Sequence, residues 1–352
     1  MKEVLTSKFP NCIYENSTLK IVNNCKDEYY SLRYGVALRI YNPVIIQMIG
    51  KDSLEFLHRV STNDFKNLQP FQKKNTLFLN EKGRLIDRTT LLNLENKYFL
   101  IGLRDETNKL INWINKYIIT EEIEINNISN EYLLIDVIGP QAESFLTLIV
   151  GEKLNELKDE NFLDISESNL NFRIFLQKEK YDLRIYKILI GINYLSDFID
   201  YVLDNKSIFD LNFVGEDSYN IFRVEMGLPD VTEINLNFNP HEIDLINEIS
   251  FTKGCYIGQE VIARLDTYNK VQRKLCGIIL NNDNCEFTIP AEIQNENGED
   301  IGFITTTVNS ELLKKKIGLA VIRKNYLEKN NCAALINNKK INFTITELPF
   351  SK

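Results

Sequence analysis

The sequence has no run of about 18 apolar residues, the length that a membrane-spanning helix requires. Its first 20 residues, MKEVLTSKFPNCIYENSTLK, lack an apolar h-region and include Glu3 and Glu15. This composition argues against a secretory signal and, more weakly, against a transit peptide. We therefore expect a cytoplasmic protein with no membrane partner.

Cysteine is scarce, and no two cysteines form a CxxC pair. The six are Cys12, Cys25, Cys255, Cys276, Cys285 and Cys332. Disulfide frameworks are typical of small secreted chains, whereas this chain has 352 residues and enough apolar content for ordinary cores. The cysteines are therefore expected to be reduced thiols.

An excess of basic charge is also absent. The chain has 41 Lys and Arg residues against 49 Asp and Glu residues, a formal net charge of -8. Proteins that bind nucleic acid are more often basic or carry a clear basic run. We therefore expect no DNA partner, although a local basic pocket for an anionic ligand is compatible with this charge.

Histidine is rarer still, because only His58 and His241 occur. The sequence also lacks GxGxxG after a strand, GxxxxGK followed by Ser or Thr, GxSxG and HExxH, so the chemistries of those motifs are not indicated. The Cys and His spacings of a zinc site are missing, and no metal site is expected. His58 is expected on a helix face, at the surface or at its boundary, and a nucleophilic pair between His241 and Cys255 is an alternative.

What the sequence does contain is a mixture of strand-like and helix-like segments. Residues 44–50, VIIQMIG, predict a strand, and Asp52 or Ser53 can cap a helix after it. Three strands with turns at NEKG and LENK follow, then a helix at 104–118. Strands are next predicted at 121–125, 132–139, 171–177 and 183–192, and helices at 140–150, 194–204 and 217–227. This mixture indicates α+β layers rather than a doubly wound sheet.

The pattern changes after about residue 273. Short strand-like segments alternate with turns rich in Asn, Gly and Lys up to residue 348. This spacing predicts a small all-β module, a barrel or a sandwich.

The stretch SFTKGCYIGQEVIARL, residues 250–265, places one cysteine between two glycines. Glycines permit unusual dihedral angles and close approach of the backbone. Lys253 and Arg264 bring positive charge that can lower a thiol pKa or bind a carboxylate. On this local chemistry alone, Cys255 is a nucleophile, a metal ligand, part of a ligand pocket or a small buried hydrophobic residue.

The octapeptide KGCYIGQE, residues 253–260, with the Ala-Arg and Arg-Lys-Leu that follow, resembles the signature of YgfZ-type folate-binding proteins. These belong to the wider family of the glycine-cleavage T-protein, an aminomethyltransferase. Six further segments resemble blocks of that family in the same order: IGKDSLEFLHRVSTNDFKNL, LNEKGRLID, VIGPQAESFL, FRVEMGLP, IGFITTTVNS and IGLAVIRK. The resemblance spans about residues 40–325.

The resemblance implies a T-protein-like fold, in which two α+β domains surround a central cavity and a β-barrel follows. The folate-binding core would cover residues 1–272, with its second α+β subdomain at roughly 131–214, and the barrel residues 273–352. The implied cofactor is tetrahydrofolate.

Members of the YgfZ-type branch support the assembly or repair of iron–sulfur clusters. The resemblance therefore implies iron–sulfur client or assembly proteins as partners. The alternative is a folate-dependent aminomethyltransferase or another one-carbon transferase or demethylase. A scaffold that has lost its ligand is a third reading. KGCYxGQE is not the transferase pattern, and the transferases carry two successive acids where this chain has Asp87 and Arg88.

The resemblance also implies roles for single residues. Cys255 and Asp87 are the catalytic candidates, although Asp87 as an exposed strand residue is an equal alternative. The cofactor-binding candidates are Lys253, Gly254, Tyr256, Gly258, Gln259, Glu260, Arg264, Arg223 and Arg184. For Arg223 a structural salt bridge, and for Arg184 a place on the strand surface, are the alternatives.

Overall fold

The computed structural model describes residues 1–103, 108–281, 287–295, 297–328, 331–336 and 339–350. Two compact units divide the chain. The first comprises Met1–His58, Asp64–Thr76 and Thr89–Tyr219, and the second comprises Arg59–Asn63, Leu77–Arg88 and Asn220–Lys352. The domain boundaries expected from the sequence stay a prediction.

The described residues form nine α-helices. In chain order, α1 to α9 are Lys2–Lys8, Cys25–Tyr34, Ser53–Val60, Lys109–Tyr117, Ala142–Val150, Leu195–Asp204, Glu216–Met226, Val231–Asn235 and Gln259–Thr267. No helix within these ranges has the length and apolar character needed to cross a membrane.

The same residues form nineteen β-strands. In chain order, β1 to β19 are Ile13–Glu15, Thr18–Ile21, Val36–Tyr41, Ile45–Ile49, Lys73–Leu79, Leu85–Asn93, Tyr98–Ile101, Glu124–Asn127, Tyr132–Ile138, Phe162–Glu167, Leu170–Lys178, Arg184–Gly191, Leu211–Val214, Arg273–Leu280, Ala291–Gln294, Asp300–Asn309, Lys316–Arg323, Asn331–Ile336 and Lys339–Thr346.

A six-stranded sheet organises the first unit, with the order β10-β11-β12-β9-β3-β13. Its strand pairs are antiparallel except that β13 runs parallel to β3. The apolar faces of α5 and α6 pack on this sheet, and the rings of Phe172 and Phe198 lie 5.8 Å apart, edge to face. Strands and helices thus form separate layers, which confirms the predicted α+β class.

A five-stranded sheet has the order β5-β6-β7-β4-β8. The predicted strand over residues 44–50 is β4, and the three predicted strands with NEKG and LENK turns are β5, β6 and β7. In the first turn, the Gly83 N–H donates to the Asn80 carbonyl over 2.9 Å. The first unit has a second hydrophobic core, which contains Phe99, Phe162 and Phe175. Their large aromatic side chains fill this core efficiently.

The all-β module predicted after residue 273 is a closed barrel, with the strand order β14-β17-β16-β15-β18-β19. Alternate side chains of these strands point inward, so that Ile278, Ile304, Ile322 and Phe343 share one core. Closure pairs every strand on both sides and leaves no open edge.

The N-terminal residues, to which the sequence assigned no structure, begin with α1, the β1–β2 hairpin and α2. The Asn24 side chain caps α2 by accepting from the Asp27 N–H over 2.9 Å. The fully buried carboxylate of Glu28 accepts from the backbone N–H groups of Val22 and Gly215. Polar contacts therefore hold α2 in place. Because some of its buried positions are polar, its hydrophobic pattern is weak.

Two further expectations differ from the structure or extend beyond it. His58 is buried rather than exposed, and its Nδ1 lies 3.0 Å from the Asp64 carboxylate. The helix expected over 104–118 begins at Lys109, and residues 104–107 lie outside the described residues.

Candidate functional site

The KGCYIGQE segment lies in the second unit, and two of its residues are buried on either side of two exposed ones. Lys253 and Tyr256 are buried, whereas Gly254 and Cys255 are exposed. Gly258 then caps α9 in the left-handed region, with φ +83°. Because the buried residues flank the exposed ones, the segment presents the thiol on an anchored loop.

Lys253 anchors this loop. Its ammonium donates to the backbone carbonyls of Ser61 over 2.7 Å and Asn63 over 2.8 Å, and it lies 5.3 Å from the centre of the Tyr256 ring. Carbonyl oxygens and a ring face both stabilise a buried cation. Lys253 was predicted to bind a cofactor, and these contacts give it a structural role in fixing the loop.

Thr62 ties the same loop to strand β5. Its hydroxyl donates to the Glu248 carbonyl over 2.9 Å and accepts from the Leu77 N–H over 2.9 Å. Its own carbonyl accepts from the Ser250 N–H over 3.0 Å. The Ser61–Asn63 stretch therefore holds residues 248–253 through side-chain and backbone bonds. The sequence analysis assigned Ser61 and Thr62 no role.

Two ion pairs hold the segment that precedes the loop, residues 239–249. Arg84 donates to the Glu242 carboxylate over 2.8 Å, and Arg88 donates to the Glu248 carboxylate over 2.7 Å. Glu242 also accepts from the Asn239 N–H over 3.0 Å. Glu242 thus acts as a structural acid of this segment.

Asp87 is only 4% exposed, so the alternative of an exposed strand aspartate is wrong. It lies on β6 within the second unit, and its Oδ1 accepts from the Arg88 N–H over 2.7 Å. The catalytic role of Asp87 stays a prediction.

Cys255 is the exposed thiol among the described cysteines, and Cys285 lies outside the described residues. By contrast, burial raises the pKa of Cys276 to about 12, which keeps that thiol protonated. Within the described part of the chain no hydrogen-bonding partner contacts Cys255, and no cluster of three or more His, Cys, Asp or Glu side chains could hold a metal. The alternative of a nucleophilic pair between Cys255 and His241 is therefore not formed among these residues.

His241 instead contacts helix α9. It interacts with the backbone of Ile262, and burial lowers the pKa of its imidazole, which the nearby Asp266 carboxylate partly offsets. Its Nε2 atom is buried and has no hydrogen-bonding partner among the described residues.

The charged residues of α9 are solvent-exposed. Arg264 lies 3.9 Å from the Glu260 carboxylate, one helical turn apart. Such exposed pairs contribute little to stability. Gln259 is half-buried at the first position of the helix. Roles of Gln259, Glu260 and Arg264 in ligand binding stay predictions.

The two remaining arginine candidates belong to different units. Arg223 is buried, and its guanidinium donates to Glu233 over 3.1 Å and to the Thr306 hydroxyl over 3.1 Å. This is the structural salt bridge that the sequence analysis kept as an alternative. Arg184 lies in the first unit, half exposed, and pairs with Glu143 over 2.9 Å.

Comparison with known families accounts for nearly the whole chain. Residues 9–253 match the GCVT N-terminal domain, and residues 273–352 match the glycine cleavage T-protein C-terminal barrel domain. An aminomethyltransferase of Caldanaerobacter subterraneus subsp. tengcongensis is 27% identical over 310 residues, which cover 86% of this chain and 81% of that protein. A putative chloroplastic transferase of Arabidopsis thaliana is 23% identical over 320 residues, which cover 87% of this chain and 68% of that protein.

The fold also matches a solved structure. The glycine cleavage system aminomethyltransferase T of Bartonella henselae superposes with a TM-score of 0.80 at 18% identity, over 98% of this chain and 96% of that chain. This match confirms the T-protein-like fold, with its α+β domains and six-stranded barrel. Because the two family models together span residues 9–253 and 273–352, this chain belongs to the glycine cleavage T-protein family.

Proposed function

We propose that this protein binds tetrahydrofolate and supports the assembly or repair of iron–sulfur clusters in client enzymes, through the loop that carries Cys255. The observation that carries the proposal is the construction of this loop. Lys253 is buried and bound to two backbone carbonyls, whereas Cys255 is exposed. A thiol on an anchored loop is available to a second protein without rearrangement of the chain that presents it.

Membership of the T-protein family supports the folate part of the proposal. The residues of the second unit also suit the ligand: Asp87 offers a buried carboxylate to ring N–H groups, and Tyr256 offers a flat ring. Burial raises the pKa of Tyr256 to about 12, so its hydroxyl remains a hydrogen-bond donor at neutral pH. Tetrahydrofolate, when bound, supplies a carrier for one-carbon units.

The cluster part of the proposal follows from ligand number. Iron–sulfur clusters are commonly held by four cysteine thiolates, and one thiol cannot complete such a set. Cys255 would therefore take part in a cluster site whose other ligands come from a client or assembly protein. The cluster is the cargo in this proposal, and the partner supplies the remaining thiolates.

A calorimetric titration with tetrahydrofolate under reducing conditions tests the folate part. We expect saturable binding by the wild type and similar affinity for Cys255→Ala, since the exposed thiol lies outside the ligand contacts proposed here. We expect Asp87→Asn to bind at least about tenfold more weakly, which corresponds to about 1.4 kcal/mol. Absence of binding by the wild type would contradict the proposal. Loss of binding in Cys255→Ala alone would place the thiol in the pocket wall.

A folate-dependent aminomethyltransferase is the second candidate, the activity for which the Caldanaerobacter relative is named. That activity transfers an aminomethyl-borne carbon unit to tetrahydrofolate. An assay with an aminomethyl-carrying donor protein distinguishes the two candidates, because only the transferase requires turnover of that donor.

A further inference from the structure

A concave surface of the first unit lies over strands β10, β11, β12 and β9. Its volume of about 620 Å³ is in the range of small-molecule sites. We call it the β10–β12 groove, and the lining residues that matter below are Glu131, Tyr132, Asp164, Arg173 and Tyr194. None of them belongs to the Cys255 loop or to the residues that support it, so the inference is independent of the proposed function.

Strand register places the polar groups of the groove together. Asp164 of β10 is paired with Arg173 of β11, and Arg173 is paired with Leu189 of β12. One row further along the same face, Ser166 is paired with Asn171. Paired residues on neighbouring strands point to the same side of a sheet. The carboxylate of Asp164, the guanidinium of Arg173, the hydroxyl of Ser166 and the amide of Asn171 therefore lie on one face of the sheet.

Arg173 has hydrogen-bonding capacity that the described residues leave unused. Its Nε atom is buried and lies 2.9 Å from the Asp164 carboxylate, yet it makes no hydrogen bond. The side chain is 24% exposed, and its guanidinium lies 5.8 Å from the centre of the Phe99 ring. A guanidinium carries five N–H donors in a planar fork that fits a carboxylate. No other acceptor among the described residues engages this fork.

The charges of the groove select the class of ligand. A simple anion at Arg173 would meet the carboxylates of Asp164, which is 46% exposed, and of Glu131, which is exposed. A simple cation bound at these carboxylates would be repelled by the positive charge of Arg173. A ligand with both charges side by side satisfies both sites, because opposite charges within a few ångströms attract and like charges repel.

Two tyrosines also line the groove. Tyr132 lies against Phe99, with ring centres 5.5 Å apart, and Tyr194 is 37% exposed. Aromatic faces favour a flat apolar group. We propose that the β10–β12 groove binds a free α-amino acid with an aromatic side chain, with its carboxylate on Arg173, its ammonium on Asp164 and its ring between Tyr132 and Tyr194.

Calorimetric titration of the full chain with L-phenylalanine tests this proposal. The matched probes are 3-phenylpropionate, which lacks the ammonium, and 2-phenylethylamine, which lacks the carboxylate. We expect saturable binding of L-phenylalanine and at least tenfold weaker binding of each matched probe. Equal binding of all three, or no binding of L-phenylalanine at millimolar concentrations, would overturn the proposal whatever the variants do.

Variants locate the site. Arg173→Met and Asp164→Asn are each expected to weaken L-phenylalanine binding at least tenfold, while Lys178→Met, a change at an exposed cation of the same strand, leaves it unchanged. Arg173→Lys retains the positive charge but loses the fork, and is expected to give an intermediate affinity. Thermal melting of each variant verifies the fold. Unaltered affinity in Arg173→Met and Asp164→Asn would place the ligand elsewhere.

Discussion

Glu233→Ala is expected to lower the free energy of unfolding by about 3–5 kcal/mol, the range for breaking a buried ion pair. Glu233 has no exposed surface, and its carboxylate accepts from Thr305 over 2.5 Å, Thr306 over 2.9 Å and the Asp230 N–H over 2.9 Å. It also accepts from Arg223, whose side chain is buried. The substitution would remove the nearest counter-charge of this buried guanidinium and leave the Asp230 carboxylate, 4.0 Å from its Nε, as the remaining acid beside it, which is the costly part of the change.

Chemical denaturation followed by far-UV circular dichroism measures the effect. Glu233→Gln keeps the shape of the side chain and one acceptor, so we expect a smaller loss. The matched control is Glu292→Ala, an exposed glutamate of the barrel strand β15, for which we expect a change within about 0.5 kcal/mol. A loss in Glu233→Ala no larger than in this control would show that the network does not hold the second unit together.

Gly258→Ala is expected to destabilise the protein by at least about 1–2 kcal/mol, the cost of a left-handed conformation for a residue with a side chain. The backbone of Gly258 has φ +83°, and an added Cβ would lie 2.6 Å from the Asn80 carbonyl oxygen. The start of α9 would have to move away from the turn at Asn80–Gly83. The orientation of the loop before it would change as well.

Gly254→Ala is the matched comparison. An added Cβ at Gly254 meets no atom within 4 Å, so we expect stability to change by less than about 0.5 kcal/mol. Thermal and chemical denaturation of the two variants measure the difference. Equal destabilisation of the two variants would show that a side chain at Gly258 does not strain the start of α9. A loss of function in Gly254→Ala at unchanged stability would show that a ligand or partner approaches the backbone at this glycine.

The sequence predicts those parts of the fold whose causes are local. The strand β4 follows from a short apolar, β-branched run that ends at Gly50, and the hairpins of β5 to β7 follow from strand-like segments separated by turn residues; both were predicted. The helix α2 was missed because two of its buried residues, Glu28 and Ser31, are polar. The carboxylate of Glu28 finds its partner Gly215 at a distance of 187 residues along the chain. No local pattern indicates such a contact.

The candidate site shows the same limit. The KGCYIGQE motif located the exposed thiol, because the glycines and the cysteine are adjacent in sequence. The role of Lys253 depends on Ser61 and Asn63, which precede it by 192 and 190 residues. The burial of Asp87 likewise arises from tertiary packing, and sequence reasoning could only weigh it against an exposed position. The family resemblance supplied the candidate residues, and the fold determines which of them support the loop.

Cys255 is proposed to be required for the maturation of iron–sulfur enzymes. The most direct test measures the activity of an iron–sulfur client enzyme in extracts of cells that lack the native protein and express one variant. The variants are the wild type, Cys255→Ala and, as the matched control, Cys12→Ala, a change at a half-buried thiol of the first unit. Immunoblots establish equal abundance of the three proteins.

We predict that the wild type and Cys12→Ala restore client activity and that Cys255→Ala does not, although it still binds tetrahydrofolate. This result would show that the Cys255 thiol does not contribute to folate affinity and that it acts with the client or assembly protein. Full restoration of client activity by Cys255→Ala would contradict the proposed role of this thiol.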